Sequence, residues 1–508
     1  MFLHWPSVVL TCAAFLLISA FKSALTALNV ARAATFSIDN PPISAHYPTS
    51  SSHTTPHGEP ANMGLEVEAY PAAPPELELR QVHVYVRHGE RTPVSTRMSD
   101  PPASIPPFWI ECTTARAFHA AVHDVTATTP VDAQTIFQSV LNPGAAGEKL
   151  MPIRKMVERR DGTHVEGECM LGELTDLGRR STLAYGLALR KLYIDRLGFL
   201  PDAIERDRHL VYFRSTNMPR TIGSLEHIVY GLYPPNKYLN GVFPKILVRN
   251  GADENLIGNQ FACRRLEVLK AAFAKAAAEA WNPSLEHLDA KLSKFIGGEP
   301  IRIDGKPRAS GILDTVKAAV AHGIRVPAEF QEPSTVSLLE KAVCVEWFSG
   351  YKNEEFRRLG MGPLLDDLQG KMTLKADGHA RQPRLLVHST HDTALAGMLQ
   401  TLDVYDELWP QFTASVTFEL FRQQPSPRGP MTWMQALGLA AAASGPQHYI
   451  RMRYQNRSLQ LPFCGTAGKH LPGAPEFCTL EAFRERVREL TPADWDNECQ
   501  QNITTSRR

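Results

Sequence analysis

The sequence predicts an α/β fold, a mostly parallel sheet flanked by helices and carrying an inserted helical cap. Three observations lead there. Short β-branched or aromatic runs at 82–86, 209–213 and 385–387 each break into a polar turn followed by a helical pattern, as strands joined by crossover helices do. About 150 residues between the second and third runs read as largely helical, more than a crossover needs. At 508 residues the chain exceeds one minimal core, which leaves room for one large domain with an insertion or for two domains.

The first run carries the most chemistry. Val82-His83-Val84-Tyr85-Val86 reads as a buried strand that ends in Arg87-His88-Gly89-Glu90-Arg91-Thr92-Pro93. Gly89 is expected to let the backbone turn sharply at the strand's carboxyl end, where open α/β sheets keep their ligand crevices. Guanidiniums are planar, always charged and matched to phosphate oxygens, so two of them beside an imidazole point to a phosphate site with His88 as a nucleophile. The bland alternative is a solvated turn.

The elements that follow fit one sheet edge. Gly172-Glu173-Leu174-Thr175 opens a helix expected to run to about 197, with Thr175 as N-cap and Leu177, Ala184, Leu187 and Tyr193 as its apolar stripe. A strand at 209–213 leads into Arg214-Ser215-Thr216-Asn217-Met218-Pro219-Arg220-Thr221. Arg220 reads there as a helix-surface or structural arginine, and Asn217 is given no role. Leu385-Leu386-Val387-His388-Ser389-Thr390-His391-Asp392 is again strand into helix start, about 300 residues after the first motif. His83 and His388, inside their strands, read as packed histidines.

Arg87 to Pro93 resembles the Arg-His-Gly-x-Arg-x-Pro signature of the histidine acid phosphatases, within the phosphoglycerate-mutase-like superfamily. The 172–178, 213–221 and 385–394 segments resemble that family's later motifs in the same order. Segments 401–405, 409–415 and 416–421 resemble the helix, proline turn and edge strand that follow, so the likeness runs from about 78 to 505. The spacing of the late segments is closer to the branch of acid and lysophosphatidic acid phosphatases than to the phytases. The resemblance implies a phosphomonoester hydrolase favoured at acidic pH. It makes His88 the nucleophile that forms a phosphohistidine and Asp392 the acid and then base. Arg87, Arg91, Arg214 and protonated His391 would hold the phosphoryl group, with no cofactor and no metal. Two rivals stand beside it: phosphomutase-like transfer back to substrate, and a non-catalytic module that binds a phosphate ligand.

Composition narrows the partners. Lys plus Arg at 54 against Asp plus Glu at 53 leaves a net charge of +1, which argues against nucleic acid and makes any positive potential local to the pocket; the small-molecule phosphomonoester partner is what the resemblance implies. No motif of the Walker, Rossmann, nucleophile-elbow or zinc type competes. A membrane enters only through a possible N-terminal anchor; oligomeric state is not legible.

The domain plan follows. Residues 1–35 read as a signal peptide or short anchor: the first 38 residues lack acidic side chains, and 8–21 is an apolar run of about 14 residues, short for a membrane span. The secretory route is favoured over a mitochondrial presequence or an anchor, and sequons at Asn456 and Asn502 are compatible with it. The Pro-, Ser- and Thr-rich 36–77 reads as a flexible linker. Residues 78–508 form the phosphatase domain, with cap insertions at about 101–168 and 235–375. In the cap, helices are expected at 264–281, at 284–295 after a proline break, at 336–348 and at 353–369. Arg264, Arg265, Lys270 and Lys275 are cations a polyphosphorylated substrate could use, but they read as a wet helix face. Seven cysteines beyond Cys12 permit three bridges and one free thiol, with Cys464 and Cys478 as the expected pair.

Overall fold

A computed structural model describes residues 65–114, 117–121, 150–205, 209–239, 244–424 and 447–500. The N-terminal segment and the Asn502 sequon lie outside them. One nine-stranded sheet organises the described chain, in the order β10-β11-β8-β7-β1-β6-β4-β5 with β9 on β8. Its strands are β1 (Leu77–Arg87), β4 (Val211–Ser215), β5 (Ile246–Leu247), β6 (Leu385–Thr390), β7 (Ser415–Gln423), β8 (His448–Tyr454), β9 (Arg457–Leu459), β10 (His470–Leu471) and β11 (Ala474–Thr479). A separate hairpin pairs β2 (Ala117–Ala121) with β3 (Leu150–Arg154).

The α/β class holds, but the sheet is mixed rather than mostly parallel. The β1/β6, β6/β4 and β4/β5 pairings are parallel, and the five on the other side of β1 are antiparallel. The physical reason is connectivity: parallel neighbours need crossovers, which the helices between β1, β4 and β6 supply, whereas β8 to β9 and β10 to β11 are joined by two-residue links that reverse the chain. Because β1, β6 and β4 run in parallel and in register, Arg87 lies beside Thr390, and Ser215 beside Ser389. Their carboxyl ends therefore share one edge.

The helix Asp176–Arg190 is capped by Thr175, whose side chain accepts the Gly178 N–H, and its last turn widens into a π-helical segment, Lys191–Arg196. Its buried stripe is Gly178, Thr182, Tyr185, Gly186 and Leu189, while Leu187 is about half exposed. Of the positions expected to face inward, Tyr193 is buried, Leu177 and Ala184 are half-buried, and Leu187 is out of phase because glycines mark the closest contacts. A Cβ on Gly89 would meet the Gly178 carbonyl oxygen at 2.4 Å, and one on Gly178 would meet that of Glu90 at 2.1 Å. Gly89 is thus required by close approach of the helix rather than by a left-handed turn.

The cap divides differently from the plan. Met98, Ile105 and Trp109 share a core with Leu285, Leu292, Ile312, Val316, Phe330 and Leu339. By contrast Phe356, Leu364, Leu368 and Met372 pack with Tyr85, Val416 and Phe418 of the sheet, so 354–376 belongs to the main layer. The helix Arg264–Leu285 runs through Pro283, where a break was expected, and Ala309–Ala321 forms a helix the periodicity did not single out.

Residues 65–77 are no linker. Leu65, Val67 and Tyr70 are buried, and Tyr70 donates from its hydroxyl to Glu419 inside the sheet's core. Disulfides join Cys112 to Cys169, Cys263 to Cys499 and Cys464 to Cys478, leaving Cys344 buried and free. Among the described residues no helix is long and apolar enough to cross a membrane.

Candidate active site

Beyond the shared strand edge opens a cavity of about 1060 Å³. Arg87, His88, Arg91, Arg220, His391 and Asp392 line it on the sheet side. The two histidine rings stand 5.6 Å apart, edge to face. His88 is held by its own strand network: its N–H donates to the Thr390 carbonyl, its carbonyl accepts the Thr413 N–H, and its Nδ1 lies 2.8 Å from the Gly89 carbonyl. That contact makes Nδ1 the protonated nitrogen and leaves Nε2 with its lone pair free. Burial first, then Arg87 and Arg91, push the His88 pKa well below the ordinary imidazole range. A neutral ring is what nucleophilic attack needs.

Asp392 opens the helix Asp392–Thr401. One oxygen accepts the Thr393 N–H at 2.8 Å; the other takes Arg87 at 2.7 Å and the Trp409 indole N–H at 3.1 Å. Burial alone would raise its pKa, but Arg87 and then Arg91 outweigh it, and the carboxyl sits below its usual value. His391 Nε2 lies 3.0 Å from the Thr216 hydroxyl. Burial, then Arg220, lower its pKa to about 3.

The arginines are placed as follows. Arg87 donates to the Pro410 carbonyl at 2.7 Å, and its guanidinium lies 4.1 Å from the centre of the Phe412 ring. Arg91 pairs with Asp314 of the cap helix at 2.9 Å. Arg214 is not among the residues that line the cavity, although its Nε and Nη1 are buried without a partner. Its register sets it beside His388, which is itself level with Tyr85, two residues short of the strand edge. There it pairs with the buried Glu254 at 2.5 Å. The third guanidinium at the site is Arg220, in the first turn of the helix Pro219–Leu232. Burial, then its neighbour Arg91, lower its pKa to about 10. Position after the strand's end was the available signal: the crevice of such a sheet lies beyond the strands, so the first helical turn faces it and the strand interior does not.

His83 and His388 are stacked 6.0 Å apart inside the sheet, buried and held neutral by desolvation. Sequence reasoning missed Asp314 and gave no role to Trp409 or Phe412. Of the candidate cap cations, Lys270 lines the cavity over Trp347, while Arg264, Arg265 and Lys275 are engaged by Glu267, Glu355 and Glu279 outside it. The far walls are chiefly apolar, with Phe261, Leu313, Phe330, Trp347, Phe348 and Phe356 among them.

Comparison with known proteins agrees with this geometry. The family description "Histidine phosphatase superfamily (branch 2)" matches residues 78–455. A probable acid phosphatase of Schizosaccharomyces pombe is 32% identical over 454 residues, covering 84% of this chain and 95% of that protein. Human lysosomal acid phosphatase is 28% identical over 340 residues, 65% of this chain and 72% of its own. Mouse lysophosphatidic acid phosphatase type 6 is 26% identical over 356 residues, 69% and 77% respectively. Among solved structures, Hafnia alvei phytase in complex with tartrate superposes with a TM-score of 0.51 at 14% identity, covering 85% of this chain and all of that one, which supports the fold. The chain belongs to the histidine phosphatase superfamily (branch 2), as an enzyme of the acid phosphatase type.

Proposed function

We propose that the enzyme hydrolyses phosphomonoesters through a phosphohistidine on His88, with Asp392 as acid and base. The observation that carries this is the meeting, in one cavity lining, of His88, its Nδ1 committed to the Gly89 carbonyl, with Asp392 paired to Arg87. Arg87 pairs with Asp392. A phosphoryl group brings more negative charge and geometric fit for the same fork, so Arg87 turns to it together with Arg91, Arg220 and His391.

Losing Arg87 from its carboxylate lets the Asp392 pKa rise toward the value that burial favours. The carboxyl can then take up a proton and give it to the alkoxide as His88 attacks in line. In the second half, Asp392 as base draws the proton from the water that opens the phosphohistidine. Neutral His391 gains a proton once phosphate sits beside it. Both uptakes favour acidic solution.

The aromatic walls favour a monoester whose leaving group has a bulky apolar body, a chemistry of the kind in the lysophosphatidic acid phosphatase relative's name. Three disulfides suit an oxidising, secretory compartment. The test is direct. Labelled substrate, quenched in alkali within one turnover, is expected to leave label on a peptide containing His88, stable to base and lost in acid. Release of all label as inorganic phosphate at the earliest times, with none on protein, would replace the covalent route by direct water attack.

A further inference from the structure

Trp409 presents two N–H groups to two different carboxylates. Its indole N–H donates to Asp392 at 3.1 Å, and its backbone N–H donates to Glu340 of the cap helix Pro333–Phe348 at 3.0 Å. Glu340 also accepts Lys317 of the neighbouring cap helix at 2.5 Å. The Trp409 ring packs edge-on to Trp347 at 5.9 Å and tilted to Phe348 at 5.1 Å, both on the Glu340 helix. The residues after it hold Arg87, through the Pro410 carbonyl and the Phe412 ring. One short segment thus touches both members of the Arg87–Asp392 pair and is tied to the cap.

We propose that Trp409 is the positioning residue of the acid step: it fixes the direction in which Asp392 offers its proton, and it ties that direction to the cap through Glu340. The proposal rests on the acid role of Asp392 given above. The argument is one of lone pairs. Arg87 and Trp409 contact the same Asp392 oxygen, which leaves that oxygen no place for a proton while both are bound. When the phosphoryl group recruits Arg87, the Trp409 bond stays. With Trp409 on one oxygen and the Thr393 N–H on the other, the carboxyl keeps its orientation, and the direction Arg87 vacated, toward the anion it turned to, becomes open to a proton. Without the indole N–H one oxygen keeps only the Thr393 N–H and the other loses its fixed donor, so the proton is held less firmly toward the leaving oxygen. A purely packing role for the ring would give no such preference.

The test uses the full chain with Trp409→Phe, which keeps an aromatic ring against Trp347 and Phe348 and deletes the donor. With glycerol 2-phosphate and p-nitrophenyl phosphate as probes, kcat for the alkyl ester is expected to fall about 10-fold and for the aryl ester less than about 3-fold, with KM little changed, because one charge-assisted hydrogen bond is lost at the acid step alone. The alkaline limb of the alkyl kcat profile should move to higher pH, since the lost donor stabilised the ionised carboxyl. Glu340→Ala, which leaves the indole in place and unties its backbone, should show the same leaving-group preference at about a third of the size. Asp392→Asn separates the two levels of the reading: if it is selective for the alkyl ester and Trp409→Phe is not, Trp409 is a packing residue and this proposal fails. If Asp392→Asn slows both esters equally, the acid role itself is lost.

Discussion

Two buried groups of arginines and carboxylates sit on the same sheet and carry the same excess charge, yet they are built for opposite ends. Inside the sheet, Arg451 and Arg453 of β8 close on Glu419 of β7, at 2.8 and 3.1 Å. At the sheet's edge, Arg87, Arg91 and Arg220 face Asp392 and Asp314. Each group has one positive charge more than it has negative. The difference is in the donors left over. Around Glu419 both oxygens are taken, by Tyr70, Tyr193 and both arginines, and the outer N–H groups reach the Pro71 and Gln455 carbonyls. At the edge, the Nε of Arg87, of Arg91 and of Arg220 has no partner. A saturated network of this kind specifies packing, whereas an unsaturated one beside a cavity is poised to accept an anion.

The comparison breaks most sharply at His88. His88→Ala should lower turnover by at least about 10⁴-fold, the range seen when a nucleophile is lost, while the thermal midpoint stays close to wild type. A variant that unfolds, or one that keeps a tenth of its activity, would erase the distinction between edge and interior. Glu419→Gln should do the reverse. Removing one charge from a buried pair leaves the other uncompensated, so stability should fall by about 3 to 5 kcal/mol in a urea titration, with kcat per folded molecule unchanged.

Arg220 and Arg214 sharpen it, being six residues apart, the one in the cavity lining and the other paired with Glu254 but with its Nε and Nη1 unpartnered. Arg220→Ala should cost about 1.5 to 3 kcal/mol of transition-state binding, read as kcat/KM with an aryl phosphate, and little stability. Arg214→Ala should spare the chemistry of the folded fraction but strand Glu254. A selective loss of kcat/KM in Arg214→Ala would return that arginine to the phosphate clamp.

The smallest effect is in pH. Burial pushes the Glu419 carboxyl up, but Arg453 and Arg451 prevail and hold it at about 2, against an ordinary 4.5. A depressed carboxyl stabilises the fold above its unfolded pKa and loses that contribution as pH falls toward the folded one. Between pH 6 and pH 3 wild type should therefore lose roughly 2 kcal/mol more stability than Glu419→Gln. Equal losses would mean the network carries no pH-linked stability, and the contrast with the edge would rest on hydrogen bonding alone.

What the sequence determined by itself is what lies in consecutive residues. Strand patterns ending in Arg87-His88 and His391-Asp392 are local, so those strands, their shared edge and the chemical class were legible. The Thr175 cap and the Cys464–Cys478 pair were legible too, because each is set within a short span of chain. Tertiary structure alone decided what depends on register and long-range contact. A one-step reading of an amphipathic helix cannot tell that Gly178 and Gly186, not Leu187, face inward, since a glycine contact has no hydrophobic signature. Nothing near Pro71 in sequence reveals that its carbonyl completes the hydrogen bonds of Arg451, 380 residues away. Arg214 and Arg220 look equally suited to phosphate along the chain. Only the pairing of β4 with β6 shows that one stops below the edge while the other, in the first turn of a helix, rises above it. Charge is written in the sequence, but which donors remain unpaired is settled by what folds against them.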